Sequence, residues 1–323
     1  MPSPLRMLRR RILTPNVAET QLARRGFHVK TPDARELLET VGSRFLEGYA
    51  YAMEAGTPAE AETRLETVPA RFRGFAYEGA GMGFAMLDGL PLPGRGRVGE
   101  FLAGRGARHN YMVYVGIGWA MARLPRFRWP DITGLDPLLR WLVLDGYGFH
   151  QAYFRTEQYV HGRHRERSFP WPADDSPGYV SRAIDQGVGR ALWFVGGTDP
   201  DVVATLIEKF PERRHSDLYG GAGLAAAYAG GVDEAELRAF QDRAGIHRAI
   251  VAQGAAFACE ARIRAGLLGP HTELAAQVLC GTDAAAAAKV TQDLRPTGRS
   301  TGPVPSYETW RQAIADTFTA ARS

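Results

Sequence analysis

The chain has 323 residues, of which 45% are hydrophobic and 23% charged. No apolar run approaches the roughly 20 residues of a membrane span, and none of signal-peptide length follows Met1-Pro2-Ser3-Pro4-Leu5-Arg6, so no transmembrane segment and a cytoplasmic address are expected. The net charge of +4 is uneven: residues 1–30 carry +6 and the other 293 carry −2, with only three lysines in all, which excludes the folded body as a nucleic-acid surface.

Residues 1–30 read as a basic, flexible arm. Pro2, Pro4 and Pro15 interrupt any long helix, and the arm is expected to be dispensable for a single helical domain over 31–323. Arg9-Arg10-Arg11 reads as solvated, with an acidic partner or a lipid surface as the alternative. From Thr31 onward almost everything reads as helix. Thr31-Pro32-Asp33 opens a helix over 32–55, with a side-chain cap, a proline in the first turn and an acid at the positive end. Thr57-Pro58-Ala59-Glu60 repeats the device. Further helices are expected over 68–88, 97–103, 107–124, 135–154 and 178–195, then from Asp199-Pro200-Asp201 to before Pro211. The remainder are 214–229, 233–243, 246–265, 271–280, 283–294 and 306–320. No segment has the alternation of a strand.

The one long irregular stretch, 155–177, reads as a lid or binding loop. Its His161 and His164, and Asp174 and Asp175, are weak metal candidates, and no metal site is expected. Cys259 and Cys280 lie in apolar helical contexts and read as buried thiols. His150 reads as a satisfied core histidine, and His109 and His247 as helix-start residues.

One pattern recurs seven times: Gly, any residue, then Gly or Ala. The first glycines are Gly48, Gly79, Gly116, Gly146, Gly187, Gly221 and Gly254, spaced 31, 37, 30, 41, 34 and 33 residues apart. Such periods mark stacked helical hairpins. The fold expected is all-α: about seven hairpins in a closed α/α toroid or a strongly curved superhelix. Glycine inside a helix costs about 1 kcal/mol relative to alanine, so its repeated use needs a packing reason. Two glycines two residues apart bare opposite flanks, and neighbours can approach on both. The residue between them should pack on each hairpin's other helix. Positions −1 and +3 from the first glycine stack on a third face. There stand Glu47/Tyr51, Glu78/Met82, Val115/Trp119, Asp145/Phe149, Gln186/Arg190, Gly220/Leu224 and Gln253/Phe257. This face is either solvated or the lining of a cavity with a few polar groups on an apolar wall.

Three stretches carry a family resemblance: His109-Asn110-Tyr111-Met112-Val113-Tyr114-Val115-Gly116-Ile117-Gly118-Trp119-Ala120, Leu135-Asp136-Pro137-Leu138-Leu139-Arg140-Trp141 through Asp145-Gly146-Tyr147-Gly148-Phe149-His150, and Asp185-Gln186-Gly187-Val188-Gly189-Arg190. They resemble the UnbL-type family, a bacterial family of unassigned function encoded beside enediyne polyketide synthases. The resemblance covers about 65–312, including Tyr307-Glu308-Thr309-Trp310-Arg311. It implies natural-product biosynthesis and a conjugated polyene or other apolar intermediate, and it brings no catalytic residues.

No nucleotide, zinc or serine-hydrolase motif is present and no cofactor is expected. The leading expectation is an enzyme that cyclises or isomerises a hydrophobic, polyene-like intermediate by acid-base chemistry. Asp145 is the first choice as acid, since Phe149 and Trp141 would desolvate it, and Glu78 is the second. Trp119, Phe149, Gln186, Arg190, Gln253, Phe257, Tyr51 and Met82 are expected to bind the substrate, with a carboxylate or diphosphate end as the alternative partner of Arg190. The alternatives are a terpene-cyclase-like enzyme that protonates an isoprenoid, and a non-catalytic scaffold or carrier for a polyketide synthase. For Asp145 itself the competing expectation is an ion pair with Arg190 that only fixes the ring.

Overall fold

Helix starts form where the sequence supplies caps. In the computed structural model, which describes residues 3–91, 94–166, 168–171, 176–298 and 303–320, the Thr31 and Thr57 hydroxyls accept the backbone N–H of Ala34 and Glu60. Asp199, Asp233 and Asp283 cap later helices in the same way. The first helices are α1 (Pro4–Leu13), α2 (Leu22–Arg25), α3 (Pro32–Glu54), α4 (Pro58–Leu65), α5 (Ala70–Gly89) and α6 (Arg97–Ala103). Next come α7 (Asn110–Arg123), α8 (Trp141–Phe154), α9 (Val180–Val195), α10 (Pro200–Glu208) and α11 (His215–Ala229). The last are α12 (Glu234–Ala244), α13 (Arg248–Arg264), α14 (Pro270–Ala275), α15 (Ala284–Asp293) and α16 (Ser306–Ala320). No strand occurs among the described residues, and the chain is all-α.

Two boundaries differ from the sequence reading for local reasons. The helix expected from 135 begins at Trp141, because the Asp136 carboxylate accepts the N–H of Leu138 and holds 137–140 in turns. In the 155–177 stretch, Glu157–His161 forms one wide helical turn. His161 and His164 each lie 3.9 Å from a carboxylate, Glu157 and Glu166; Asp174 and Asp175 lie outside the described residues.

The glycine-bearing helices α3, α5, α7, α8, α9, α11 and α13 each pack against the next. From α5 onward the contacts keep one register. A Cβ on the first glycine of a helix would collide with the carbonyl oxygen of the residue before the first glycine of the preceding helix: Gly116 on Glu78, Gly146 on Val115, Gly187 on Asp145, Gly221 on Gln186 and Gly254 on Gly220. A Cβ on the second glycine would meet a carbonyl of the following helix, as Gly118 meets Val143 and Gly148 meets Ile184. Backbone therefore lies on backbone. Contact positions advance together along neighbouring chains, from Gly79 on Phe45 to Gly83 on Ala52 in α3–α5, from Tyr77–His109 to Gly89–Leu124 in α5–α7 and from Asp145–Gln186 to Tyr153–Phe194 in α8–α9, so these neighbours run in the same sense. The residues between the glycines, such as Ile117, Val188 and Ala222, are buried, as expected.

The first helix is out of register. In α3 it is Gly48 that meets Ala76, three residues before Gly79, and Gly79 meets Phe45. Gly48 therefore fills the second-glycine place, and Leu46 stands where the first would be. Everything on α3 shifts by two: Phe45 and Tyr49 take the −1 and +3 places, and Glu47 and Tyr51 turn outward.

The arm is not free. Arg9 Nε and Nη2 donate to the carbonyls of Met53 and Ala55 (2.5 and 2.8 Å), and Arg10 pairs with Glu54 at 2.6 Å. Leu22 and Phe27 are buried in the common core, Phe27 edge-on to Tyr153. His28 N–H donates to Val195 O, and Lys30 Nζ reaches Gly231 O and Glu236. The expected boundary at residue 31 is corrected: the excess positive charge of 1–30 is spent partly on helix C-termini of the body.

Two outcomes test this packing. Gly187→Ala should destabilise by about 1–3 kcal/mol despite alanine's helix propensity, because its methyl meets the Asp145 carbonyl. Gly99→Ala, with open space around it, should be neutral or stabilise by up to about 1 kcal/mol. Equal melting curves for the two variants would refute the backbone-contact account. A chain starting at Thr31 should lose roughly 3 kcal/mol or more from Leu22 and Phe27 alone, read from denaturant unfolding.

Candidate active site

Nine of the ten residues singled out at −1 and +3 come together, in two groups, and Tyr51 does not. The first group surrounds a cavity of about 50 Å³. Glu78 and Met82 of α5, Trp119 of α7, Phe149 of α8 and Arg190 of α9 line it. Phe45 and Phe75 complete the wall, with Tyr153, Phe154 and Phe194 one turn further on. The lining is aromatic, with one buried acid and one buried base.

Arg190 is the hub. One guanidinium nitrogen donates to Asp145 Oδ1, the other lies 3.9 Å from Glu78 Oε1, and the group stands 5.2 Å from the centre of the Phe149 ring. Gln186 Nε2 donates to Asp145 Oδ2 at 2.7 Å and lies 3.2 Å from the Tyr307 hydroxyl. Both Asp145 oxygens are thus engaged, and the ion pair with Arg190 that the competing expectation named is present.

Glu78 differs. It is buried, and no hydrogen bond of ordinary length reaches its carboxyl among the described residues. Burial pushes its pKa up from 4.5 to about 7; Arg190 opposes the shift, Asp145 adds to it, and the Trp119 indole N–H opposes it weakly. A carboxyl that holds its proton near neutrality in an aromatic cavity can act as general acid and, once ionised, as general base.

The second group is covered by protein. Gln253 accepts from Arg311 Nε (3.1 Å), and Phe257 packs between Tyr307 and Trp310. Helix α16 thus occupies the −1/+3 face of α9, α11 and α13. Its Arg311 also binds Asp217, Glu308 and the Tyr179 hydroxyl at 2.8–3.0 Å, and Arg182 adds a two-pronged contact to Asp217. Gly220 stands at its −1 place, where a Cβ would lie 2.8 Å from Ile250 Cγ2 and 3.0 Å from Arg311 Nη2. Gln186, Gln253 and Phe257 are therefore not in the cavity wall.

Tyr51 is corrected outright. Its hydroxyl donates to Glu47, and Arg64 lies 4.0 Å over its ring on the outer face, the result of the α3 register. The sequence reading missed Phe45 for the same reason. It also missed the row seven residues after the first glycine, Arg123, Tyr153 and Phe194, which 3.6-residue periodicity places two turns along the same face. His150 is buried beside Trp119 with Nδ1 unpartnered, so it is a core histidine but not a satisfied one. Burial, then Arg123 and Arg155, push its pKa down to about 3. His109 caps nothing; it stacks on Tyr77, ring centres 3.6 Å apart.

The family described as "Protein of unknown function (DUF1702)" matches residues 4–318. No curated protein and no solved structure matches the chain.

A raised carboxyl pKa favours folding at low pH, where the native state holds the extra proton, and that contribution is lost as pH rises from about 4.5 through about 7. Glu78→Gln mimics the protonated form. Its melting temperature should match the parent's near pH 5 and rise relative to it toward pH 8, about the span of that titration. A difference independent of pH between the two proteins would refute the raised pKa.

Proposed function

We propose that this chain, which by the match over residues 4–318 belongs to the DUF1702 family, is an enzyme that isomerises or cyclises a hydrophobic, polyene-like compound by proton transfer. The observation that carries the reading is Glu78: a buried carboxyl, raised toward neutrality, at the wall of an aromatic cavity. Protonation of one carbon of a double bond by Glu78 forms a C–H bond and leaves a cation on the neighbouring carbon. The faces of Trp119 and Phe149 stabilise that charge. Arg190, at 3.9 Å, stabilises the Glu78 carboxylate left behind. Loss of a proton from an adjacent carbon to Glu78 restores the acid, and the net change is a shifted double bond or a closed ring. An isoprenoid substrate fits the same chemistry. The resemblance of 109–120, 135–150 and 185–190 to the UnbL-type family supports natural-product biosynthesis as the setting and a polyketide synthase as a partner.

The proposed architecture is a strongly curved or closed array. Contacts across it support this reading: Arg262 Nη1 of α13 donates to Arg71 O of α5, and Phe75 of α5 meets Tyr228 of α11. The cavity has room for roughly four water-sized molecules. A longer substrate needs Pro15 and Thr20 of the arm, which form part of its wall, to withdraw.

A scaffold role has one observation in its favour, the sealing of half the inner face by α16. Deuterium incorporation separates the two readings. In D₂O, the protein should exchange vinylic or allylic hydrogens of a conjugated polyene, and Glu78→Gln should lower the rate by roughly 100-fold or more with its fold intact. Asp145→Asn should instead lower the melting temperature. Full exchange by Glu78→Gln would remove the proposed chemistry, and no exchange by the parent across several polyenes and isoprenoids would favour the scaffold.

A further inference from the structure

Helix α1 is inside out for a surface helix. Its polar side faces the protein: Arg9 and Arg10 bind the C-terminal end of α3, and Arg6 pairs with Glu60 at 3.3 Å. Its apolar stripe faces away. Leu5, Leu8 and Ile12, at helical spacing on one face, are 78%, 51% and 69% exposed. A second apolar group protrudes from the loop after α7, where Phe127 is 82% exposed between Arg126 and Arg128.

These features share one end of the molecule. Neighbouring helices α3, α5 and α7 run in the same sense, and the contacts of Gly83 with Ala52 and of Gly89 with Leu124 put their C-termini side by side. Arg9 holds α1 at the end of α3, and a Cβ on Gly89 would meet Arg128 O and Leu124, which puts the Phe127 loop at the ends of α5 and α7. The cavity opens at this end, since exposed Arg123 belongs to its lining.

The unpaired charge there is mostly positive. The side chains of Arg11, Arg123, Arg126 and Arg155 are exposed and make no hydrogen bond or ion pair among the described residues. Of the acids, Glu19 pairs with Arg24 and Arg25, Glu54 with Arg10 and Arg64, and Glu60 with Arg6, while Asp131 and Glu157 are exposed and pair with no arginine. No helix among the described residues is long and apolar enough to cross a membrane. Protruding apolar side chains among unpaired arginines instead match a surface that is apolar below and anionic above.

We propose that this end docks on an anionic lipid bilayer, with Leu5, Leu8, Ile12 and Phe127 entering the interface and the unpaired arginines meeting lipid phosphates. The cavity mouth then faces the membrane, and an apolar ligand reaches it without crossing water. The docking stands on the surface alone and is independent of the chemistry at Glu78.

The test is flotation of the full chain with vesicles of phosphatidylcholine, or of phosphatidylcholine with about a quarter phosphatidylglycerol. Binding is expected to the second and not the first, and to fall as salt rises. Replacing both exposed stripe residues, Leu8→Ser with Ile12→Ser, or Phe127→Ser alone, should weaken binding roughly tenfold or more. Their melting curves should stay unchanged, since none of these side chains is buried. Arg126→Glu should weaken binding to the anionic vesicles in the same way. Absence of binding, or equal binding by the variants, would overturn the proposal. So would a concentration-dependent dimer, seen by sedimentation without lipid and lost in the same variants, because the face would then belong to a second copy.

Discussion

Contact of backbone on backbone governs this structure. At each crossing from α5 to α13 the first glycine of a helix rests on a carbonyl group of its predecessor, where no Cβ fits. The helix-propensity cost of these glycines, about 1 kcal/mol each, is offset by close approach along the whole interface. The contact also fixes rotation. Once a glycine is locked against a carbonyl, the residues before and after it have no choice of face. Glu78, Asp145, Gln186 and Arg190 come from three helices, and they meet because the same contact recurs at each step.

What meets there is costly. Burying a carboxylate or guanidinium is repaid only when partners satisfy it. The protein does this for Asp145, with Arg190 on one oxygen and Gln186 on the other. Glu78 is not given that treatment. Its nearest cation is 3.9 Å away and already committed to Asp145, so burial prevails and the proton stays on to about pH 7. Two acids at equivalent repeat positions thus acquire different properties from their neighbours alone. A purely structural network would gain nothing by leaving one acid short of partners.

Much of the framework was legible because it is local. The caps at Thr31 and Thr57, the helices and the glycine pattern all follow from a few adjacent residues. The faces followed too, once the glycines were taken as contacts. Failures came where a nonlocal fact decided. Glu47-Gly48-Tyr49-Ala50 looks like the other motifs, yet Gly48 serves as a second glycine. Only its meeting with Ala76 reveals this, so Tyr51 was placed inside when Phe45 belonged there. The surroundings of Asp145 were hidden similarly: its apolar neighbours Phe149 and Trp141 were visible in sequence, but the arginine from α9 that engages it could not be ranked against them. The arm was misread because composition shows an excess of arginine, not the carbonyls that accept its hydrogen bonds.

The division of the inner face carries the last step of the argument. The same positions that line the cavity on α5, α7 and α8 are covered by α16 on α11 and α13, where the bare Gly220 faces Ile250 and Arg311. The covered half is dense with paired charge, Arg311 and Arg182 between Asp217 and Glu308, with Arg311 Nη2 alone lacking a partner, and forms a closely tied wall. The open half is apolar, and part of its wall comes from residues 15–20 of the arm. Rigidity is thus concentrated behind Arg190 and Asp145, while the side facing Glu78 is closed by a segment tied mainly by arginines. That asymmetry suits a site that must hold an acid in place on one side and admit an apolar molecule from the other.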